Sequence, residues 1–415
     1  MDLSYQSFVD SVSGGIVDSL KNNKYVLLIG KNGRGKSGIL ANLADTLPLN
    51  GINTLAISFS ITDKFPYSTK RKNYIYLGVR STSNSTQTNT LDNKIFDNLI
   101  AGSNNFGFAD KIERICSFLE VSPEFHIWGE LHGGSVENID EMDDYVLSAV
   151  TARRGRGRVA LDEIKTTEAR RSAVDGLFEE EAISRSDVAQ LLEELQSTDL
   201  KFQRRFDLRN ILQMRIYSVI PALRKLGVIK NFSLSVGRST SSGLNFMSSG
   251  QKNIFFTLTQ VCRHAGLTSI VLIDEPEISL HPDWQARYIP LLEDLFGSED
   301  FRYVIATHSP FVAINCFHSQ TSVISLTRSQ SGFAWERINS MEGWSVDIAS
   351  VDGFNVGSYR STRLEQIMLD ACEVISAESP LNSEVTYYLK KLSEYSLAKD
   401  DPINLIIQDL ERLKK

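Results

Sequence analysis

The 415-residue chain is short of cysteine and has none in pairs: Cys116, Cys262, Cys316 and Cys372 lie far apart, with no C-x-x-C among them. Four scattered thiols in a chain this long read as reduced core residues, which leaves out a disulfide framework and a zinc site. Long apolar runs are missing as well. None approaches the roughly 18 to 20 residues that span a bilayer. The opening Met1-Asp2-Leu3-Ser4-Tyr5 has neither the basic start nor the apolar core of a signal peptide. A cytoplasmic address with no membrane contact is the expectation. Positive charge is not in excess either. A formal net charge of −7 argues against a uniformly basic coat for nucleic acid, though a local basic patch fits inside that total. What remains, 42% hydrophobic and 23% charged residues, is ordinary for a soluble globular protein with one large core or two domains.

Within that ordinary composition the apolar segments are ordered. Lys24-Tyr25-Val26-Leu27-Leu28-Ile29 is a short apolar run ending at a glycine, the pattern of a buried parallel strand. Thr54 to Phe59 and Tyr74 to Val79 read as further strands, and the Ser/Thr/Asn/Gln stretch from Ser81 to Thr90 reads as a polar loop. From about Asn93 to Ile229 apolar residues fall at helical spacing, as in Ala189 to Leu195 and Leu208 to Leu226. No strand pattern of comparable strength interrupts them. The strand pattern returns at Phe232, most clearly in Ile270 to Ile273 and Tyr303 to Ala306. After Gly357 the spacing is helical again, with Leu364, Ile367, Met368, Leu389 and Leu392 recurring at i, i+3 and i+4.

Gly30-Lys31-Asn32-Gly33-Arg34-Gly35-Lys36-Ser37 satisfies G-x-x-x-x-G-K-[ST] and stands between a strand and the helical pattern that begins at Gly38. Glycines let backbone N–H groups turn inward around phosphate oxygens, and the helix N-terminus adds its positive end. Gly30, Asn32, Gly33, Gly35, Lys36, Ser37 and Gly38 are therefore the expected nucleotide contacts. Lys36 would reach the β and γ phosphates, and Ser37 would ligate magnesium. The run Ile270-Val271-Leu272-Ile273-Asp274-Glu275 ends an apolar strand on two acids. Asp274 is delivered to the magnesium, and Glu275 to a place where a carboxylate polarises the attacking water. His308, in Ala306-Thr307-His308-Ser309-Pro310, ends the next apolar strand and can reach the same γ-phosphate, because parallel strands present their C-terminal ends on one edge.

A second small-residue turn, Met247-Ser248-Ser249-Gly250-Gln251, precedes the helical pattern Ile254 to Leu258. Two readings stand side by side. It is an ordinary N-capped helix, or it is a second anion site through Ser248, Ser249, Gly250 and Gln251. One chain needs one phosphate cradle, so a second would serve the nucleotide of a partner subunit.

Taken in order, the P-loop, S-S-G-Q, D-E-P and T-H-S segments resemble the ABC-type ATPase superfamily, and Asp274-Glu275-Pro276-Glu277-Ile278-Ser279-Leu280-His281-Pro282 resembles its RecF, OLD and SMC-related branch. The resemblance covers about residues 1–80 and 232–320. It implies an α/β ATPase head in two parts, 1–92 and 232–356, a mainly helical insertion over 93–231, and a helical tail over 357–415. It implies Mg-ATP as cofactor and a head-to-tail ATP dimer in which Ser249 and Gly250 meet the γ-phosphate of the opposite subunit. Ser279 to Pro282 would be the dimer-facing D-loop and His308 the switch histidine. Met247 stands where the family has leucine. Gln87 is the candidate for the Q-loop metal ligand, although a polar stretch flanks it.

Small ATPases of this branch are similar to the ATPase components of bacterial anti-phage systems such as Septu, which work with a separately encoded nuclease or other effector. The resemblance thus implies an ATPase that gates an effector partner. A RecF-like repair ATPase acting directly on DNA and an ATP-stabilised scaffold are the alternatives. No H-N-H constellation or D-x-D pair in the tail supplies a nuclease within this chain. For nucleic-acid contact the candidates are the Arg153-Arg154-Gly155-Arg156-Gly157-Arg158 cluster and the group Arg204, Arg205, Arg209 and Arg215. Residues 151–230 carry 16 Lys and Arg against 12 Asp and Glu. A DNA- or RNA-facing lobe and a set of solvated, ion-paired helices both account for that balance.

Overall fold

Five consecutive buried residues form strand β1 (Tyr25–Ile29), and five more form β2 (Thr54–Ser58). Burial on both faces is what a near-continuous apolar run requires of a strand in a covered parallel sheet. A computed structural model describes residues 3–60, 63–66, 72–78, 88–132, 141–154, 166–195, 201–237, 247–264, 269–329, 332–338, 340–354, 362–377, 380–395 and 401–414. The N-terminal elements are helix α1 (Leu3–Ser19), β1, helix α2 (Lys36–Leu49), β2 and β3 (Tyr74–Tyr76).

Helices α3 (Thr88–Gly102) and α4 (Phe108–Phe118) follow, then β4 (Phe125–Leu131), α5 (Met142–Arg154), α6 (Thr167–Glu180), α7 (Arg185–Leu195) and β5 (Lys201–Phe206). Next come α8 (Ile211–Tyr217), α9 (Ile220–Leu226), β6 (Ile229–Val236) and α10 (Ser249–Arg263). The chain continues through β7 (Ser269–Asp274), α11 (Pro282–Phe296), β8 (Phe301–Ala306), α12 (Pro310–Ile314), β9 (Thr321–Ser329) and β10 (Gly332–Ile338).

Seven strands make one sheet in the order β10-β9-β1-β8-β7-β2-β3, parallel throughout except for the antiparallel edge strand β10. Side chains alternate across it. Val26 and Leu28 of β1 join Leu272 and Val304 in a core completed by Val12 and Ile16 of α1 and Ile39, Leu40 and Leu43 of α2. The next residue along, Tyr25, stacks on Tyr303 at 5.1 Å and donates its hydroxyl to Glu293 of α11 at 2.5 Å. Helices thus cover both faces, and the C-terminal ends of β1, β7 and β8 open on one edge.

The middle of the chain, expected to be mainly helical, holds three strands beside its helices. Strands β4, β5 and β6 form a second, antiparallel sheet in the order β5-β4-β6. In Lys201-Phe-Gln-Arg-Arg-Phe206 only Phe202 and Phe206 are buried. A half-solvated antiparallel strand alternates polar with apolar and carries no apolar run, so its sequence is easily taken for a charged helix face. The polar stretch expected to end at Thr90 instead gives way to α3 from Thr88. Residues 1–342 make one compact unit, with the insertion inside it.

Residues 343–415 make a second compact unit, which holds the expected helical tail of 357–415. Within it helices α13 (Thr362–Ser376), α14 (Asn382–Ser393) and α15 (Ile403–Leu413) bury Leu364, Ala371, Val385, Leu392, Ile403 and Leu410. Ile367, Met368 and Leu389 pack on that core, as their spacing predicts. Among the described residues no helix is long and apolar enough to cross a membrane.

Candidate functional site

Strand β1 ends at Gly30, whose φ of 141° is readily open only to glycine. A Cβ there would stand 2.6 Å from the Leu326 carbonyl oxygen of β9, so the turn out of the sheet also needs the missing side chain. Residues 31–33 are exposed, Gly33 and Gly35 take positive φ, and Gly35 caps α2 with no side chain bonded to its first N–H groups. Gly38 lies in the first helical turn. These are the terms of an anion cradle, backbone donors at a helix N-terminus.

Lys36 is buried at that N-terminus. Its Nζ donates to the Gly30 carbonyl at 2.7 Å and lies 2.5 Å from His308 Nε2. Burial pulls the ammonium down to about 8, while Glu275, Glu277 and Asp274 pull it back up. Ser37 donates its hydroxyl to Asp274 Oδ1 at 3.2 Å. Asp274 ends β7 in register with Ser58 of β2 and Ala306 of β8, only 2% exposed. Burial lifts its carboxyl to about 7, with the Ser37 bond and Lys36 opposing and Glu275 adding to the rise.

Glu275 has φ 52° and donates its N–H to the Ala306 carbonyl at 2.9 Å, so its backbone is left-handed where β7 leaves the sheet. A non-glycine residue held there stores strain of a kind found at functional sites. Its Oε1 lies 3.6 Å from His308 Nε2. Burial first and Lys36 second push the imidazole down to about 4. The ring is therefore neutral at neutral pH, and the His308–Glu275 contact is not an ion pair. The P-loop, Asp274, Glu275 and His308 thus meet at one sheet edge.

Two carboxylates join this group without having been singled out from sequence. Glu277 accepts the Thr307 hydroxyl at 2.8 Å and the N–H of His308. Buried Asp63 accepts the Tyr76 hydroxyl at 2.6 Å and the Phe65 N–H at 2.9 Å, and its charge adds to the rise of Asp274. Glu277 carried a signal in its place two residues after Glu275; Asp63 carried none. Gln87 lies outside the described residues.

The turn Met247 to Gln251 folds in a way that satisfies its plainer reading in part. Ser248 caps α10 by accepting the Gln251 N–H on its hydroxyl oxygen, and its own N–H donates to Gln251 Oε1 at 2.7 Å. Gln251 Nε2 also donates to the Leu119 carbonyl at 3.0 Å, which ties α10 to the end of α4. Both ends of that amide are thereby occupied within the chain. Ser249 is exposed, whereas Gly250 is buried against the carbonyl of Ser279, itself exposed at φ 63°. The exposed Ser248, Ser249 and Ser279 accordingly lie on segments in backbone contact.

The oxygen donors fit magnesium. A serine hydroxyl and a buried carboxylate meet beside the phosphate cradle. Among the described residues no group of three or more His, Cys, Asp or Glu could hold a metal unaided. Magnesium that keeps several waters and binds through one carboxylate plus substrate phosphates needs no such group.

The four arginines of the second basic group each have a partner within the chain. Arg209 bridges Asp110 and Glu113, Arg215 lies 3.2 Å from Asp187, Arg205 lies 4.0 Å from Glu124, and Arg204 donates to the Glu194 carbonyl. These are contacts between elements, not along one helix face. Gly155, Arg156, Gly157 and Arg158 lie outside the described residues, as do the side chains of Arg153 and Arg154.

A phosphate cradle after the first strand of a largely parallel sheet, with an acidic pair where β7 ends two strands away, is a mixed α/β arrangement consistent with a P-loop ATPase. A protein-family model described as "AAA domain, putative AbiEii toxin, Type IV TA system" matches residues 175–315, a span that holds Asp274, Glu275 and His308 but not the P-loop. The chain is 42% identical over 66 residues to "Protein ea59" of Escherichia phage lambda, covering 16% of this chain and 13% of that protein. It is 36% identical over 77 residues to "Retron Ec83 probable ATPase" of Escherichia coli, covering 16% and 14%. It is 24% identical over 153 residues to "Retron Vc95 probable ATPase" of Vibrio cholerae serotype O1 biovar El Tor, covering 33% and 29%. The matched region spans less than a third of each relative's length.

Proposed function

We propose that this chain is an ABC-type ATPase that closes as a head-to-tail dimer around Mg-ATP and gates a separately encoded effector, a nuclease, in anti-phage defence. The observation that carries the dimer is the contact of Gly250 with the Ser279 carbonyl. It joins the turn at the start of α10 to the loop after β7, with Ser248, Ser249, Ser279, His281 and Pro282 exposed on the two segments. The capped turn keeps Ser249 exposed for a second subunit's γ-phosphate, whereas Gln251 is committed within the chain. The defence role rests on the likeness to two proteins each named as a retron "probable ATPase".

In this reading the α2 N-terminus cradles the phosphates, and Lys36 exchanges its bonds to Gly30 and His308 for β- and γ-phosphate oxygens. Ser37 and Asp274 are the residues that would hold magnesium, which neutralises charge on the phosphates. Glu275 takes a proton from the attacking water as the water oxygen bonds to the γ-phosphorus and the bond to the β-bridging oxygen breaks. Neutral His308 donates to the γ-phosphate through its ring N–H. Glu275→Gln removes the proton acceptor and keeps the shape, so it should trap ATP and accumulate dimer. The test is ATP turnover beside light scattering with and without ATP; hydrolysis by that variant at the wild-type rate overturns the assignment of the base.

A further inference from the structure

The segment Thr307-His308-Ser309 follows the end of β8 and is fastened at each residue to the stretch that follows Asp274. Glu277 spreads its carboxylate across two of them, Oε2 accepting the Thr307 hydroxyl at 2.8 Å and Oε1 accepting the His308 N–H. Thr307 is fully buried, and its Oγ1 also accepts the Ser309 N–H at 2.9 Å. Ser309 donates its hydroxyl to Gln285 Oε1 at 2.6 Å, and Gln285 Nε2 donates to the Leu280 carbonyl at 2.9 Å. The left-handed Glu275 starts this geometry. Its N–H stays on the Ala306 carbonyl, and its own carbonyl accepts the Ile278 N–H at 3.2 Å, so the chain doubles back and returns residue 277 to the end of β8.

We propose that Glu277 is a positioning residue for the ATPase reaction: its carboxylate fixes the Thr307–His308 backbone so that the imidazole is held against Lys36 Nζ and Glu275 Oε1. A carboxyl group presents two oxygens, and here each takes one of the two donors of this segment, where an amide would present a single acceptor oxygen. Burial pushes the Glu277 carboxyl up, and the bonds from the His308 N–H and the Thr307 hydroxyl pull it back down. What the second oxygen adds is a firm hold on a backbone N–H whose own side chain has to face the transferred phosphoryl group. A misplacement of about 1 Å at such a point costs on the order of a hundredfold in rate.

The inference rests on the ATPase reading above, and a double-mutant cycle on the full chain separates the two. Mg-ATP turnover and the affinity for a fluorescent ATP analogue are measured for wild type, Lys36→Ala, His308→Ala, Glu277→Gln and Glu277→Gln/His308→Ala. Glu277→Gln should lower kcat by about ten- to a hundredfold, with the analogue Kd unchanged within about twofold, and should lower it no further in the His308→Ala background. Thr307→Val, which removes one of the two donors, should show a smaller loss with the same dependence on His308, and it serves as the test should Glu277→Gln fail to fold. An equal loss in both backgrounds overturns the proposal, as does a loss of analogue affinity in step with kcat. Full activity of His308→Ala overturns it too, since there would be nothing to position. Turnover unaffected by Lys36→Ala would instead sink the ATPase reading itself.

Discussion

The carbonyl oxygen of Ser279 lies 2.1 Å from where a Cβ on residue 250 would stand, so Gly250 and Ser279 meet backbone to backbone. Neither partner is a flexible side chain that could step aside. Gly250→Ala must therefore shift the start of α10 or the Ser279 loop, at a cost of about 1–3 kcal/mol for overpacking a fitted contact. ATP-driven dimerisation should fall well below that of wild type, with analogue binding at the P-loop retained. Light scattering in the Glu275→Gln background reads the first and a binding titration the second. Dimer formation at wild-type ATP concentrations would show that this contact does not shape the shared face.

Gln251 is the second residue of that turn whose role the geometry redefines. Its Oε1 and Nε2 are both engaged, one on the Ser248 N–H and one on the Leu119 carbonyl. Gln251→Ala removes the capping box and the tie to α4, and should cost about 1 kcal/mol. Thermal unfolding should move down by a few degrees with kcat and ATP affinity within about twofold of wild type. A large loss of turnover at unchanged unfolding temperature would restore Gln251 as a nucleotide contact.

The contrast between these neighbours marks what could be read from sequence and what could not. Strands β1, β7 and β8 are short apolar runs because the sheet buries them on both faces, and Lys36, Ser37, Asp274, Glu275 and His308 stand at their C-terminal ends. Such a site is legible because motif and strand end coincide. Glu277 and Asp63 act through side chains that reach back across a turn, and no periodicity records a turn of that kind. Strand β5 escaped notice for a different reason: one face is solvated, so four of its six residues are polar. Arg204, Arg205, Arg209 and Arg215 read as a patch only because their carboxylate and carbonyl partners are distant in sequence.

That pairing yields a third expectation. Each phosphate contact that a protein makes with duplex DNA contributes about −0.9 to the slope of log K against log salt. Arg205 and Arg215 already stand beside Glu124 and Asp187. The double variant Arg205→Ala/Arg215→Ala should therefore leave the slope of DNA binding by the isolated chain unchanged within about half a contact. A loss of close to two contacts, measured by fluorescence anisotropy across salt concentrations, would make this face a nucleic-acid surface.

Asp274 gives a prediction whose sign depends on pH. Its carboxyl is lifted to about 7 by burial, against the ordinary 3.8. Between about pH 4 and pH 7 the native state thus holds a proton that the unfolded chain has released, and stability from this group falls as pH rises through that window. His308 works in the opposite direction. Burial and Lys36 hold it near 4, so the unfolded chain carries the extra proton between about 4 and 6.5, and its contribution rises with pH. Comparing Asp274→Asn with wild type at each pH cancels the histidine to first order and isolates the carboxyl. Lys36, held down to about 8, is already partly deprotonated at pH 7.5, and the same comparison cancels it to first order. Without nucleotide, Asp274→Asn should be more stable than wild type at pH 7.5 by on the order of 2–4 kcal/mol, with the gain shrinking toward zero near pH 4. Adding Mg-ATP should stabilise wild type by mass action and the variant far less, because the carboxylate that costs the empty fold stability is the one that would hold the ion. A variant less stable than wild type at pH 7.5, or one that gains equally from Mg-ATP, would remove Asp274 from that role.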